Sequence, residues 1–495
     1  MPDMHDLELM LGSRLPILVI ETHEEPRALD LVCRAGFSVG KPVFSWSVTE
    51  GLQRIDLEHG VPQRLTAELH DALGQIKSTE RAGIYILCDA HPFLEDNPKN
   101  VRLMKEIAMR HDRVPHTLVL ISHAINIPAE VKRYSAQMEL SLPNDQQLLS
   151  MVREEAAHWS AQNRGQKVKT DSRTLNALVG NLRGLTYSDA RRLARGAILD
   201  DGAITEDDLP NLNKAKFQLM DMDGVLSFEY DTADFADVGG LSRLKDWLQQ
   251  RRGAFLGDSG ENSGRDRPKG IMLLGIQGGG KSLAAKAVAG CWQVPLLRLD
   301  FGALFNKFIG ETEKNLREAL KLADMMEPCV LWMDEIEKGL SVDGNDNGTS
   351  KRILGTLLTW MAERKTRVFI VATSNDISRL PPELVRKGRM DEIFFVDLPD
   401  FEIRQMIFSI HLKKRYIDPD GFDLERLALA SDGFSGAEIE QAVVAGLYAC
   451  HAMECDLNTE HILDELANTS PLSVVMAEKM AQLRAWAQER TVSAN

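Results

Sequence analysis

"IMLLGIQGGGKSLAAKAVA", residues 271–289, decides how the chain is read. A short apolar run, Ile271 to Leu274, meets a glycine-rich loop and then an alanine-rich helical pattern. "GIQGGGKS" (275–282) fits G-x-x-x-x-G-K-[ST] in the strand–loop–helix context that gives the motif its meaning. The glycines Gly275, Gly278, Gly279 and Gly280 let backbone N–H groups approach phosphate oxygens, and the helix N-terminus adds partial positive charge. Lys281 is expected to reach the β and γ phosphates of ATP, and Ser282 to coordinate Mg²⁺.

The next landmarks follow in order. "CVLWMDEIEK" (329–338) is an apolar run ending in Asp334-Glu335. An acidic residue at a strand end can hold Mg²⁺, and its neighbour can orient or deprotonate an attacking water. Alone, such a pair is more often a solvated loop; its distance from the phosphate loop reverses that balance. "VFIVATSND" (368–376) offers Asn375 to position the water. "LPPELVRKGRMDEIFFVDLPD" (380–400) carries Arg386 and Arg389, surface residues by default, but in a ring of subunits able to reach a neighbour's γ-phosphate.

The composition sets bounds around these motifs. At 495 residues the chain is too long for one ordinary core. A hydrophobic content of 44% with 26% charged residues belongs to the soluble globular class. The net charge of −15 argues against a nucleic-acid coat, which needs a basic face, and no zinc-finger or helix-turn-helix pattern is evident. The six cysteines form no C-x-x-C pair, and Cys450 and Cys455 stand too isolated in sequence to suggest zinc. Scattered thiols, no signal-like start and no apolar run near ~20 residues lead us to expect a cytoplasmic protein without a membrane segment.

Residues 235–450 resemble the AAA clade of AAA+ ATPases at each landmark. "DVGG" (237–240) is similar to the segment that walls the adenine pocket, "GIQGGGKS" to Walker A, "MDEIEK" to Walker B and "ATSND" to sensor 1. "LVRKGRMDE" resembles the paired-arginine-finger segment, and "GFSGAEIEQAV" (433–443) the lid motif whose Gly436 and Ala437 pack near the nucleotide. The resemblance implies that Asp237, Val238, Gly239, Gln277 and Leu283 also contact nucleotide. "KFIGETEKNLRE" (307–318) resembles the first pore loop, with Lys307, Phe308, Ile309 and Gly310 at its tip and Phe308 where motor members grip substrate; a core phenylalanine is the alternative. Over almost the whole chain, stretches such as "ETHEEPRALDL", "WSVTEGL" and "PCVLWMDEIEKG" resemble a group of chloroplast and cyanobacterial open-reading-frame ATPases, some linked to photosynthetic or carbon-related regulation. That group's pore loop is less regularly aromatic, which leaves threading of polypeptide open.

The first half is similar to the second. "LPILVIETHEEPRALDLV" (15–32) has the strand–loop–helix order without glycine or lysine in the loop. "IYILCDAHPFL" (84–94) aligns with "CVLWMDEIEKG", setting Asp89 against Asp334 and replacing the next carboxylate by Ala90 and His91. "TLVLISHAINIP", "AQMELSLPNDQQLLSMV" and "RGLTYSDARRLARGA" align in turn with "VFIVATSNDISRLP", "EIFFVDLPDFEIRQMIF" and "DGFSGAEIEQAVVAG". Three carboxylates where a phosphate would sit are expected to repel at a cost of several kcal/mol in a partly dry site, closing this copy to ATP.

The expected architecture is therefore α/β: a P-loop NTPase (AAA+) parallel sheet flanked by helices plus a helical lid, in tandem. The expected domains are a degenerate α/β domain at 1–144, a lid-like helical domain at 145–215, a linker at 216–234, the ATPase core at 235–400, and a lid with C-terminal helix at 401–495. The polar stretches 257–268 and 341–350 read as mobile surface loops. The functional expectation is Mg-ATP hydrolysis by a homo-oligomer, a hexameric ring by the resemblance, acting on an unidentified protein partner. The alternative is a nucleotide-switched scaffold of slow turnover that binds its partner through the degenerate half. A nucleic-acid motor finds little support in the acidic balance.

Overall fold

A computed structural model describes all residues except 1, 14, 57–63, 96, 200, 206, 221–224, 230–237, 258–265, 306–310, 341–348, 377, 378, 385 and 387. The chain divides into two compact units, residues 1–147 with 185–191, and residues 148–184 with 192–495.

The first unit contains β1 (Ile17–Glu21), β2 (Val43–Ser47), β3 (Gly51–Arg54), β4 (Ile84–Cys88), β5 (Thr117–Ser122) and β6 (Ser135–Met138), in the order β3-β2-β4-β5-β1-β6. All pairings are parallel except the β2–β3 hairpin. The second unit contains β7 (Leu226–Glu229), β8 (Gly270–Gly275), β9 (Leu296–Leu299), β10 (Cys329–Met333), β11 (Val368–Ser374), β12 (Glu392–Val396) and β13 (Val492–Ser493). Their order is β13-β12-β8-β11-β10-β9-β7. Read from the other edge, the strands that open, flank and close the site fall in one sequence in both sheets: β4 with β10, β5 with β11, β1 with β8, β6 with β12. The fold is thus the expected parallel-sheet P-loop architecture, present twice along the chain.

Why these runs become strands is visible in the burial. Leu331, Met333, Ile370 and Ala372 face one core of the second sheet, while Val330, Trp332, Phe369 and Val371 face the other. A sheet covered on both faces needs apolar residues at every position, so its strands read as continuous hydrophobic runs rather than alternating ones. The first sheet repeats this, with Ile17, Val19, Leu118 and Leu120 on one face and Leu18, Ile20, Val119 and Ile121 on the other.

Four short strands lay outside the sequence expectation: β3, β6, β7 and β13. Each lies at or next to a sheet edge. The stretch read as an extended linker contributes β7, which pairs antiparallel with β9. Helices Asp145–Gln162, Ser172–Leu182 and Asp208–Leu219 follow the helical reading. Within the second unit Lys216, 1% exposed, donates from Nζ to the carbonyls of Arg183 and Met325, both at 2.6 Å. Burial lowers this lysine to a pKa of about 8, and the two carbonyls replace the water it has lost.

The lid of the second unit packs helices Phe401–Lys413, Leu424–Ala430, Gly436–Ala452 and Thr459–Ala467 around Phe408, Leu412, Leu427, Val443 and Ile462. Asp400 and Ser435 begin two of these helices by accepting backbone N–H groups, Ser435 within a capping box with Glu438. Helix Ala477–Ala487 returns the chain to the sheet, packing Met480 and Leu483 on Ile276 and forking Arg484 onto Asp397 at 2.8 Å. The expected loops at 257–268 and 341–350 fall largely outside the described residues. No described helix is long and apolar enough to cross a membrane.

Candidate active site

Because β8, β10 and β11 run parallel, the loops after them emerge at one edge of the sheet, where ligands of open α/β folds bind. After β8 comes the glycine loop. A Cβ on Gly275 would sit 2.0 Å from the Val396 carbonyl, so the approach of β8 to β12 requires glycine there. Gly278 has φ +77° and would set a Cβ 2.9 Å from Ser435 Oγ at the foot of the lid. Helix Lys281–Trp292 then starts directly under the loop.

Lys281 is 7% exposed and donates from Nζ to the carbonyls of Gly275 (3.0 Å) and Ile276 (2.7 Å). Burial lowers its pKa to about 8, opposed by the nearby carboxylates of Glu337, Asp334 and Glu335. Asp334 Oδ1 accepts from the Thr373 hydroxyl (2.6 Å), and its Oδ2 lies 3.5 Å from Arg298, whose guanidinium stands over the Trp332 ring. Glu335, at φ +47°, donates its N–H to Thr373 Oγ1 (3.0 Å) and accepts Asn375 Nδ2 on Oε1 (3.0 Å); Lys338 pairs with Oε2. The Asn375 N–H is itself held by Glu337 Oε1 at 2.9 Å. Thr373 thus fixes both acidic residues from the neighbouring strand.

One cleft of about 490 Å³ collects these groups, a size suited to a nucleotide. It is lined by Val238, Gly239, Gln277, Gly278, Gly279, Gly280, Lys281, Ser282, Leu283, Asp334, Glu335, Asn375, Gly436 and Ala437, all expected from sequence. Gly275 contributes its carbonyl to Lys281 instead of lining the cleft. Arg386 and Arg389 lie outside the lining: Arg386 is exposed, and Arg389 donates to the Glu383 carbonyl at 2.8 Å. Asp237 and the pore-loop tip Lys307, Phe308, Ile309 and Gly310 lie outside the described residues. The sequence reading missed Thr373, His411, Glu440 and Asn495, which also line the cleft. Asn495 Oδ1 accepts the Leu241 N–H at 2.5 Å, and Glu440 meets His411 at 3.4 Å and Arg415 at 3.1 Å.

Three stretches match known family profiles: residues 271–398 that of the ATPase family associated with various cellular activities (AAA), residues 3–140 the N-terminal domain of SpoVK-like AAA ATPases, and residues 146–223 their second domain. An uncharacterized AAA domain-containing protein, ycf46, of Pyropia yezoensis is 36% identical over 97% of both chains. The chain belongs to the AAA ATPase family. Its counterpart in Guillardia theta is 34% identical, covering 97% of this AAA chain and 94% of the relative. The proteasome-activating nucleotidase of Aeropyrum pernix is 34% identical over 52% of this chain and 65% of its own.

The same edge of the first AAA-like sheet keeps one element of the geometry. Ser122 Oγ donates to Asp89 Oδ1 at 2.8 Å, as Thr373 does to Asp334, but His91 and His123 complete its surroundings at 3.0 and 3.4 Å. The acidic loop differs from expectation in its energetics. Glu24 is buried against Arg27 (2.8 Å) and accepts the Ser188 N–H (2.9 Å). Glu21 accepts from the Ile125 N–H (3.1 Å) and from Gln137 (2.9 Å), while burial, with the nearby charge of Glu25, pushes the Cys88 thiol up to about 12. Glu21 and Glu24 each have their own donors, so the loop is not the mutually repelling cluster its composition suggested.

Lys281 gives the cleft a pH signature. In the free protein it is half-charged near pH 8, whereas bound phosphate favours the ammonium. ATP binding at pH 9 is therefore expected to take up protons, and affinity to fall by up to about tenfold per pH unit above 8. Calorimetry in two buffers of different ionisation enthalpy reads this directly. Equal heats in both buffers at pH 9 would refute it.

Proposed function

We propose that this AAA protein hydrolyses ATP with Mg²⁺ and, as a homo-oligomer, uses the cycle to remodel a protein partner in the cytoplasm. The observation that carries the proposal is the convergence of Lys281, Asp334, Glu335 and Asn375 on one cleft, with Thr373 orienting both carboxylates. The donor set fits the metal: Ser282 and Asp334, an oxygen pair beside the glycine loop, would hold Mg²⁺. When bound, the ion would neutralise charge developing on the phosphates. Lys281 exchanges two backbone carbonyls for phosphate oxygens, Glu335 Oε1 takes the proton of the attacking water, and Asn375 holds that carboxylate in register. Gly436 and Ala437 carry the state of the cleft into the lid.

Arg386 and Arg389, outside their own cleft, would serve a neighbouring subunit, hexameric by the family resemblance. A regulatory scaffold of slow turnover is the second reading, favoured by the internally satisfied acidic loop of the first unit, which leaves that unit free for a partner. Phe308→Ala separates the two. Under remodelling it keeps basal ATPase within about twofold and abolishes work on the partner. Retained remodelling would eliminate threading through the pore loop.

A further inference from the structure

The lid carries a cluster that ATP chemistry does not use. Cys450 lies in the last turn of helix Gly436–Ala452, Cys455 in the turn beyond it, and His461 in the first turn of helix Thr459–Ala467. The turn is closed by the Cys455 N–H donating to the Cys450 carbonyl at 3.0 Å, and the second helix is capped by Asn458, which accepts the His461 N–H at 3.2 Å. Cys450 Sγ stands 3.0 Å from His461 Nδ1, and Cys455 Sγ 3.9 Å from its Nε2. One ligand atom from each residue lies within 4.8 Å of the other two, and among the described residues no other trio of Cys, His, Asp or Glu does so. The framework behind them is packed: Cys450 is 2% exposed, and Ile462, beside His461, is fully buried in the lid core with Val443 and Leu466.

We infer that Cys450, Cys455 and His461 bind one zinc ion. Two sulfurs and one imidazole nitrogen are the ligand types zinc selects, and water completes a tetrahedron. Binding releases the two thiol protons to solvent, so the ion, two thiolates and a neutral imidazole carry no net charge. The C-terminal end of helix Gly436–Ala452 favours a cation through its partial negative charge. At ~1.5 Å per residue the cluster sits roughly 20 Å along this helix from Gly436, so it is separate from the Mg²⁺ ligands. The ion ties the far end of the helix that lines the cleft to its neighbour, adding a bond between two helices that already pack through Val443, Ile462 and Leu466.

The test uses the untagged, reduced full chain stripped of metal. Zinc titrated in competition with a chromophoric chelator is expected to bind at one equivalent, and excess Mg²⁺ to leave this unchanged. Cobalt in the same place should give thiolate-to-metal charge-transfer absorption. Cys455 is exposed, so Cys455→Ser is expected to fold, with unaltered circular dichroism and ATP binding, and to lose the equivalent. Zinc uptake that persists in Cys455→Ser, or none in the reduced parent chain, overturns the assignment. So does a cobalt complex without the charge-transfer band. A thiol pair that only oxidises to a disulfide, taking no zinc after reduction, is one form of that failure.

Discussion

Glu335→Gln is expected to bind ATP with nearly parental affinity and to hydrolyse it about 10²–10⁴ times more slowly, the usual worth of a positioned general base. The carboxylate stands on a tight turn immediately after β10, at φ +47°, with its N–H fixed by Thr373 and Oε1 held 3.0 Å from Asn375 Nδ2. The glutamine amide has the same shape, so Thr373, Asn375 and the glycine loop keep their geometry. What it lacks is an oxygen able to take a proton. Binding depends instead on Lys281 and the loop amides, which the substitution does not touch. Steady-state phosphate release, paired with equilibrium binding of a fluorescent ATP analogue, measures the two quantities separately. Brisk turnover with intact binding would remove Glu335 from the chemistry, while loss of binding would recast it as a structural residue.

The parts legible from sequence are those whose physics is local. A strand covered on both faces shows itself as an unbroken apolar run, as "CVLWM" and "VFIVA" do. A phosphate loop needs glycine where a backbone approaches, as at Gly275, or where φ is positive, as at Gly278, and that need fixes a spacing along the chain. The parts that stayed hidden depend on neighbours distant in sequence. "GLQR", "SAQM" and "LSFE" are short strands at the sheet margins, too polar to stand out from loops. Thr373 carries no sequence signal of its own, and only its register beside β10 reveals that it orients Asp334 and Glu335. The acidic loop departs from what its composition implies for the same reason. Its donors at Ile125, Gln137 and Ser188 lie more than a hundred residues away, and a count of charges cannot see them. His461 meets Cys450 only because a turn reverses the chain between two lid helices.

Removing both Arg386 and Arg389 as alanines is expected to lower turnover by about 10³–10⁵, the range over which an arginine supplied to a developing phosphate charge acts. Binding of ATP should survive, because neither side chain lines the cleft of its own chain. Arg386 is exposed, and Arg389 is anchored to the Glu383 carbonyl on the segment leading into β12. Held at a surface, next to β12 and away from their own cleft, these residues would act on ATP only across a subunit contact. Mixing discriminates this from a simple folding defect. A subunit lacking both arginines retains Glu335, and a Glu335→Gln subunit retains both arginines. Where the second abuts the first, one complete site forms. Equimolar mixtures of the two inactive proteins should therefore recover a measurable fraction of parental activity, rising and falling with mixing ratio. If no ratio restores turnover while each protein still binds ATP and assembles, the arginines do not complete a shared site.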